Sequence, residues 1–145
     1  MRMIGLGNIF CIYYVIFKSK RTIDVCVPRL SSDALAKCLV KVQQQNGSKT
    51  RIIIHKSNDL RNLQLFTLNR IEVKLIKSEV RLEHEFIVID SSEPNAMILL
   101  GNVCCGGCWD KMECFNKAPT ILSSEKSLVG VMKQEFDRIW NSELY

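Results

Sequence analysis

The stretch LEHEFIVID, residues 82–90, gathers several ionisable side chains around a short apolar run. Glu83, His84 and Glu85 precede the run, and Asp90 follows it. An imidazole can act as a nucleophile or as a general acid and base, and carboxylates can hold a metal ion that activates water. Because successive side chains of a strand alternate between its faces, Glu83 and Glu85 should share one face and His84 should lie on the other.

A cysteine-rich run, CCGGCWDKMEC, contains a second set of reactive groups. Cys105, Cys108 and Cys114 could bind zinc, but structural zinc sites combine two Cys or His pairs, and the chain has no second pair. We therefore predict no metal and no cofactor. The total of seven cysteines is odd, which favours a reducing compartment. Three others lie in apolar stretches, where a free thiol packs as a small hydrophobic group: Cys11, Cys26 and Cys38.

The composition indicates one folded domain. The chain has 145 residues, of which 47% are hydrophobic and 24% charged, enough for one compact core and too few for two ordinary domains. With 7 Gly and 3 Pro it is neither collagen-like nor a disordered low-complexity chain. The formal net charge of +5 is compatible with a phosphate-bearing or membrane-surface partner but does not require one.

Strand and helix patterns alternate from Thr22 onwards. β-Branched and apolar runs predict strands near residues 23–27, 51–54, 71–75 and 86–89, and FIVI should form a hairpin with AMILLG. SSDALAKCLVKVQQQ and SNDLRNLQLFTLN have helical spacing and capping residues. We predict an α/β fold with a mixed, largely parallel sheet and helices on both faces.

Two terminal segments should also be helical or apolar. In SSEKSLVGVMKQEFDRIW, a serine cap precedes an apolar face made of Leu128, Val131, Met132, Phe136, Ile139 and Trp140. At the other end, residues 1–17 form an apolar segment followed by Lys18, Lys20 and Arg21. Residues 3–17 are too short to span a bilayer, so a short membrane anchor and a first packed helix stay open as alternatives. Residues 18–145 are predicted to form a single domain.

The order of these elements resembles the phospholipase D-like superfamily. The strings that carry the resemblance are SKRTIDVCV, SSDALAKCL, NGSKTRIII, NRIEVKLI, HEFIVID and QEFDRIW. They are most similar to the branch that includes mitochondrial cardiolipin hydrolase and the Zucchini endonuclease. The resemblance implies a phospholipase D-like α/β sandwich, a homodimer with a shared active site, and a location at the mitochondrial outer membrane or in the cytoplasm.

The resemblance also implies which positions correspond to the family motif, His-x-Lys-x4-Asp. In the family the His attacks phosphorus and the Lys stabilises phosphoryl charge. Glu83 stands at the His position, Glu85 at the Lys position, and Asp90 matches the Asp. His84 is the alternative nucleophile. Two further ligand-binding positions of the family correspond weakly to this chain: Asn102 and Asn116.

The leading hypothesis is an inactive phospholipase D-like pseudoenzyme that binds or scaffolds, as a homodimer or as a heterodimer with an active relative. The alternative is a divergent phosphodiesterase, either a cardiolipin hydrolase-like phospholipase or a single-strand RNA endonuclease. It would use His84, or a metal ion bound by Glu83, Glu85 and Asp90. Phosphate-bearing lipid or RNA is the candidate ligand, and membrane association through residues 3–17 is a further expectation. Three lysines could form a peripheral phosphate track or a solvated face: Lys56, Lys74 and Lys77.

Overall fold

The computed structural model describes residues 3–6, 9–30, 33–56, 62–77, 79–82, 84–101 and 120–143. Within these residues the chain forms seven strands and four helices. In chain order they are β1 (Met3–Leu6), α1 (Ile9–Phe17), β2 (Thr22–Cys26), α2 (Asp33–Asn46), β3 (Lys49–His55), α3 (Leu63–Leu68), β4 (Glu72–Ile76), β5 (Phe86–Ile89), β6 (Met97–Leu100), β7 (Thr120–Ser123) and α4 (Lys126–Asn141).

All seven strands belong to one sheet in the order β1-β7-β6-β5-β2-β3-β4. The α/β class and the mixed sheet are confirmed. The expected predominance of parallel pairing is wrong, because only β2–β3 and β3–β4 are parallel and the other four pairings are antiparallel. The reason is the type of connection. α2 and α3 return the chain between parallel strands, whereas the short turn after β5 leads directly into an antiparallel neighbour.

Helices cover both faces of the sheet, as predicted. One face packs against α1, α2 and α3, through side chains such as Ile16, Leu39 and Phe66. The opposite face, called the α4 face here, packs against α4 through Met132 and Phe136. Each face has its own apolar cluster: the three-helix cluster lies beneath α1, α2 and α3, and the α4-face cluster lies beneath α4. The sheet lies between the two clusters.

The FIVI run forms a central strand. All four residues of β5 are buried, and the strand lies between β6 and β2. Phe86 and Val88 belong to the α4-face cluster, and Ile87 and Ile89 to the three-helix cluster, as the alternation of a strand requires. The predicted hairpin with β6 is confirmed by the antiparallel register from Phe86 opposite Leu100 to Ile89 opposite Met97.

The N-terminal apolar segment contains a strand as well as a helix. β1 pairs antiparallel with β7 at one edge of the sheet, and α1 follows. Ile16 of α1 is fully buried in the three-helix cluster, and α1 packs against α2. Among the residues that the structure describes, no helix has the length and apolar character needed to cross a bilayer.

α4 buries a narrower stripe than the sequence suggests. Val129, Met132, Phe136 and Ile139 are buried, at the three- and four-residue spacing of one helical face. Val131 was expected on this face, but it is 59% exposed. Its position is rotated about 100° around the helix axis from the buried Met132. The expected serine cap is also wrong, since Glu125 is the N-cap residue and its side chain makes no capping hydrogen bond.

Candidate functional site

The motif-equivalent residues lie at opposite ends of β5. His84 and Glu85 precede the strand, and Asp90 follows it. At about 3.3 Å per residue, the Cα atoms of Glu85 and Asp90 are about 16 Å apart. Within one chain the length of β5 therefore separates Asp90 from His84 and Glu85, whereas Glu83, the third carboxylate of the proposed metal site, lies outside the described residues.

Asp90 is engaged in holding the chain segment that enters β2. Its carboxylate accepts hydrogen bonds from the Ser19 hydroxyl at 3.1 Å and from the backbone N–H groups of Lys20, Arg21 and Thr22 at 2.8–3.1 Å. The residue is 2% exposed and has a φ of 52°, a left-handed conformation that Asp tolerates better than most residues. These contacts give Asp90 a structural role at the end of the strand.

His84 lies at a cleft on the α4 face. The cleft has a volume of about 220 Å³, and His84 is exposed at it. Apolar and charged side chains line the cleft: Val80, Arg81, Leu82, His84, Phe86, Glu135, Arg138 and Ile139.

Three charged residues of this cleft were missed at the sequence level: Arg81, Glu135 and Arg138. The Arg138 guanidinium donates two hydrogen bonds to the Glu135 carboxylate, at 2.5 and 3.2 Å. These bonds lower the pKa of Glu135, although burial opposes the shift, and the positive charges of Arg138 and His84 add to it. The i,i+3 spacing of Glu135 and Arg138 was the available sequence signal for this ion pair.

Glu85, which the sequence resemblance assigned to the motif Lys position, lies directly before β5. The side chain is half-buried, and this burial raises the pKa of its carboxyl group above the ordinary value. Its backbone carbonyl accepts a hydrogen bond from Gly101 at 3.0 Å, which extends the pairing of β5 with β6. When ionised, this side chain adds a partly desolvated negative charge at the N-terminal end of β5.

The three candidate phosphate-track lysines do not form one surface. The Lys74 ammonium donates hydrogen bonds to the backbone carbonyls of Ile139, Trp140 and Ser142 at 2.5–2.8 Å. Lys74 therefore caps the C-terminal end of α4, where a cation is favourable, and its predicted place in a phosphate track is wrong. Lys56 and Lys77 are exposed just beyond the C-terminal ends of β3 and β4.

Several sequence-predicted positions lie outside the described residues. They are Glu83, Asn102, Asn116 and the cysteines Cys104, Cys105, Cys108 and Cys114. Where the structure is described, it contains no group of three or more His, Cys, Asp or Glu side chains arranged to hold a metal ion. Cys26 and Cys38 are free and buried, as expected for cysteines in apolar stretches.

Solved structures of phospholipase D family members have the same fold as this chain. NucT from Helicobacter pylori superposes with a TM-score of 0.72 at 14% identity, over 97% of this chain and 95% of NucT. Nuc from Salmonella typhimurium, a phospholipase D family member, gives 0.71 at 13% identity, over 91% of this chain and 86% of Nuc. No family model matches the chain, and no curated protein matches it.

A third structure with this fold is TrmBL2, an archaeal chromatin protein whose structure shows a novel mode of DNA binding. Its TM-score is 0.66 at 12% identity, over 98% of this chain. The chain spans 54% of the length of TrmBL2. Together these likenesses establish a phospholipase D-like α/β fold for the chain.

Proposed function

We propose that the chain is a non-catalytic phospholipase D-like module that binds or scaffolds and does not hydrolyse phosphodiesters. The observation that carries the proposal is the half-buried carboxyl group of Glu85, the residue that the sequence resemblance assigns to the motif Lys position. A phosphodiester is anionic, and its transition state needs positive charge where negative charge develops. A carboxyl group is either negative or, when protonated, neutral, so Glu85 cannot supply the positive charge that a Lys would.

The environment of Asp90 supports the same proposal. Its carboxylate is buried and already accepts hydrogen bonds from four donors, so it is not free to orient a reacting group. The occurrence of this fold in TrmBL2 is a precedent for its use in a binding protein. The proposed working form is a homodimer, or a heterodimer with an active relative, and the proposed ligand class is phosphate-bearing lipid or RNA.

A second candidate function is a divergent phosphodiesterase that uses His84. It is favoured by one observation, the position of His84 in a cleft that also contains Arg81 and Arg138. An imidazole beside guanidinium groups could attack phosphorus and stabilise the phosphoryl charge. Against it, the Arg138 guanidinium is bound to Glu135, so part of the positive charge in the cleft is neutralised.

Hydrolysis assays separate the two functions. The purified chain should not turn over cardiolipin, a generic phosphodiester reporter or single-stranded RNA, because the nucleophile and clamp positions hold carboxylates. If turnover is found, His84→Ala is compared with His55→Ala, which removes the other histidine of the chain. Turnover that survives His55→Ala and disappears in His84→Ala establishes the phosphodiesterase and overturns the module.

A double substitution tests the assignment of the motif positions. Glu83→His with Glu85→Lys rebuilds His-x-Lys-x4-Asp and changes the local charge by about +3 with a neutral histidine. The variant should gain weak hydrolysis of the reporter, or salt-sensitive binding of a phosphodiester, that the parent lacks. Glu79→His with Glu143→Lys is the matched control, since it makes the same charge change elsewhere. A folded double variant that behaves like this control contradicts the assignment.

A further inference from the structure

An exposed aromatic and basic surface lies at the end of the sheet opposite to His84 and Glu85. We name it the aromatic–basic patch, and it consists of Tyr14, Phe17, Lys18 and Lys20. Tyr14 is 60% exposed and Phe17 is 36% exposed, and both lysines are exposed. A hollow of about 490 Å³ beside the patch is lined by Phe17, Lys18, Lys20, Asn46 and Asn95.

The two aromatic residues share one face of α1, and Lys18 directly follows the helix on the same side. Tyr14 and Phe17 are three residues apart and Lys18 is four residues after Tyr14, the spacings at which side chains of a helix are neighbours. The Lys18 ammonium lies 4.6 Å from the centre of the Tyr14 ring. The sequence of α1, IFCIYYVIF, has no charged residue, so the cations are concentrated beyond its C-terminal end. Aromatic rings and positive charges are therefore neighbours at the C-terminal end of α1.

Carboxylates of the described residues pair with the basic residues around the patch and not with the ammonium groups of its own two lysines. Arg21 is paired with Glu93 at 2.9 Å, and Lys49 with Glu72 at 3.6 Å. Among the described residues, neither Lys18 nor Lys20 forms an ion pair. The patch therefore presents a net charge of about +2 to solvent, complementary to an anionic surface.

The backbone that carries these lysines is held in place. Asp90 binds the N–H groups of residues 20–22. The Asn46 side-chain amide donates to the carbonyls of Phe17 and Ser19 at 2.8 and 2.9 Å. Since this turn is fixed by side chains from two other elements, binding at the patch does not require the turn to order first.

We propose that the aromatic–basic patch docks the domain peripherally on an anionic lipid surface. Exposed aromatic rings beside lysines match the membrane interface, where rings lie at headgroup depth and lysines contact anionic headgroups. The contact is at the surface and not by insertion of the helix, because Ile16 of α1 is buried in the core. The patch lies at the opposite end of β5 from His84 and Glu85, so docking is independent of whether the chain hydrolyses anything.

Single-stranded RNA fits the patch less well than a lipid surface. RNA-binding surfaces use aromatic faces on which bases stack. Here Lys18 covers one face of the Tyr14 ring, and Phe17 is only partly exposed. A membrane interface needs no free ring face, so the observed arrangement favours lipid.

The test is co-sedimentation of the full chain with vesicles. Vesicles of phosphatidylcholine with phosphatidylserine should bind the chain, vesicles of phosphatidylcholine alone should not, and salt should weaken the binding. Lys18→Gln with Lys20→Gln should reduce binding on the order of 30-fold, because each lysine near an anionic surface strengthens binding by about fivefold. Lys18→Arg with Lys20→Arg keeps the charge and should bind like the parent.

Matched controls separate the patch from net charge and from general hydrophobicity. Lys56→Gln with Lys77→Gln removes the same charge at the other end of the sheet and should change binding far less. Tyr14→Ser should weaken binding several-fold, whereas Leu68→Ser, at a residue 74% exposed on α3, should not.

Three outcomes would overturn the proposal. They are no binding to phosphatidylserine vesicles, an equal loss in the two lysine-to-glutamine pairs, and single-stranded RNA that binds through Lys18 and Lys20 and displaces the vesicles.

Discussion

At the scale of a residue, the Asp90 carboxylate takes the place of water for four hydrogen-bond donors. It joins the C-terminal end of β5 to residues 19–22, which are about 70 positions earlier in the chain. Ser19 and Ser48 extend this contact, because their hydroxyls bond at 3.1 Å and both residues are buried. Asp90 thus stabilises the chain segment that leads into β2.

Asp90→Ala should lower the free energy of unfolding by about 3 kcal/mol, because it leaves partly buried N–H groups without an acceptor. Denaturant unfolding measures this loss, and the slope of unfolding free energy against denaturant concentration should equal that of the parent chain. Glu93→Ala is the control, since it removes a carboxylate three residues further along the chain that pairs with the exposed Arg21, and should cost below about 1 kcal/mol. Equal losses in the two variants would contradict the structural role of Asp90.

At the scale of elements, a partly buried ion network around the buried Asp24 attaches α4 to the sheet. Arg51 of β3 donates to Asp24 of β2 at 2.9 Å and to Asp137 of α4 at 3.1 Å. Its guanidinium also lies 4.8 Å from the Phe136 ring centre and 5.3 Å from that of Trp140. Burial alone would lower the pKa of Arg51, but the hydrogen bonds and charges of the two aspartates outweigh it and raise the pKa.

Arg51→Met should destabilise the fold by roughly 3–5 kcal/mol, because Asp24 is 1% exposed and would keep only Lys133 as a partner. Adding Asp24→Asn should recover part of this loss, and a double-mutant cycle by denaturant unfolding measures the coupling. Lys49→Met breaks the exposed pair with Glu72 and should cost below about 1 kcal/mol. If the effects of Arg51→Met and Asp24→Asn on the free energy of unfolding are additive, the network is ruled out.

At the scale of the whole molecule, the two apolar clusters each enclose a thiol. Burial raises the pKa of Cys26 to about 12, with the negative charges of Glu135 and Glu85 adding to the shift. Burial also raises the pKa of Cys38 to about 12, although Lys41 opposes it. Both thiols stay protonated, and therefore weakly nucleophilic, as long as the sheet keeps its cover on both faces.

Stability should consequently fall as the pH rises from about 9 to about 12. The ordinary thiol pKa is 9.0, so in this interval the unfolded chain releases protons that the folded chain retains. At about pH 8, native Cys26 and Cys38 should resist iodoacetamide and react once the chain is unfolded, as peptide mass spectrometry can show. A smaller loss of stability at high pH in Cys26→Val would confirm the cause. Alkylation of Cys26 and Cys38 in the native chain at the rate found for the unfolded chain would exclude burial as the cause.

The sequence predicted what depends on local pattern. The apolar runs of β2, β3, β4 and β5 and the periodic face of α2 define the centre of the fold, and periodicity detects them. β1 was missed because its four residues lie inside the longer apolar run of residues 3–17, and β7 because TILS has only two consecutive strongly apolar residues. At the site, the alternation of faces predicts opposite sides for His84 and Glu85, and the structure places His84 at the cleft on the α4 face. The bonds between Asp90 and residues 19–22, and between Arg51 and Asp24, join distant parts of the chain and leave no periodic signal.

The pairing of β1 with β7 has a consequence for how the protein assembles. Met3 lies opposite Ser123, so the partners are about 120 residues apart, and bringing them together closes a loop of nearly the whole chain. β1 leaves the ribosome before β7 and must therefore wait for it. During that interval, and whenever β1 detaches, β7 becomes an open edge with unpaired N–H and C=O groups, a template for strands of other chains.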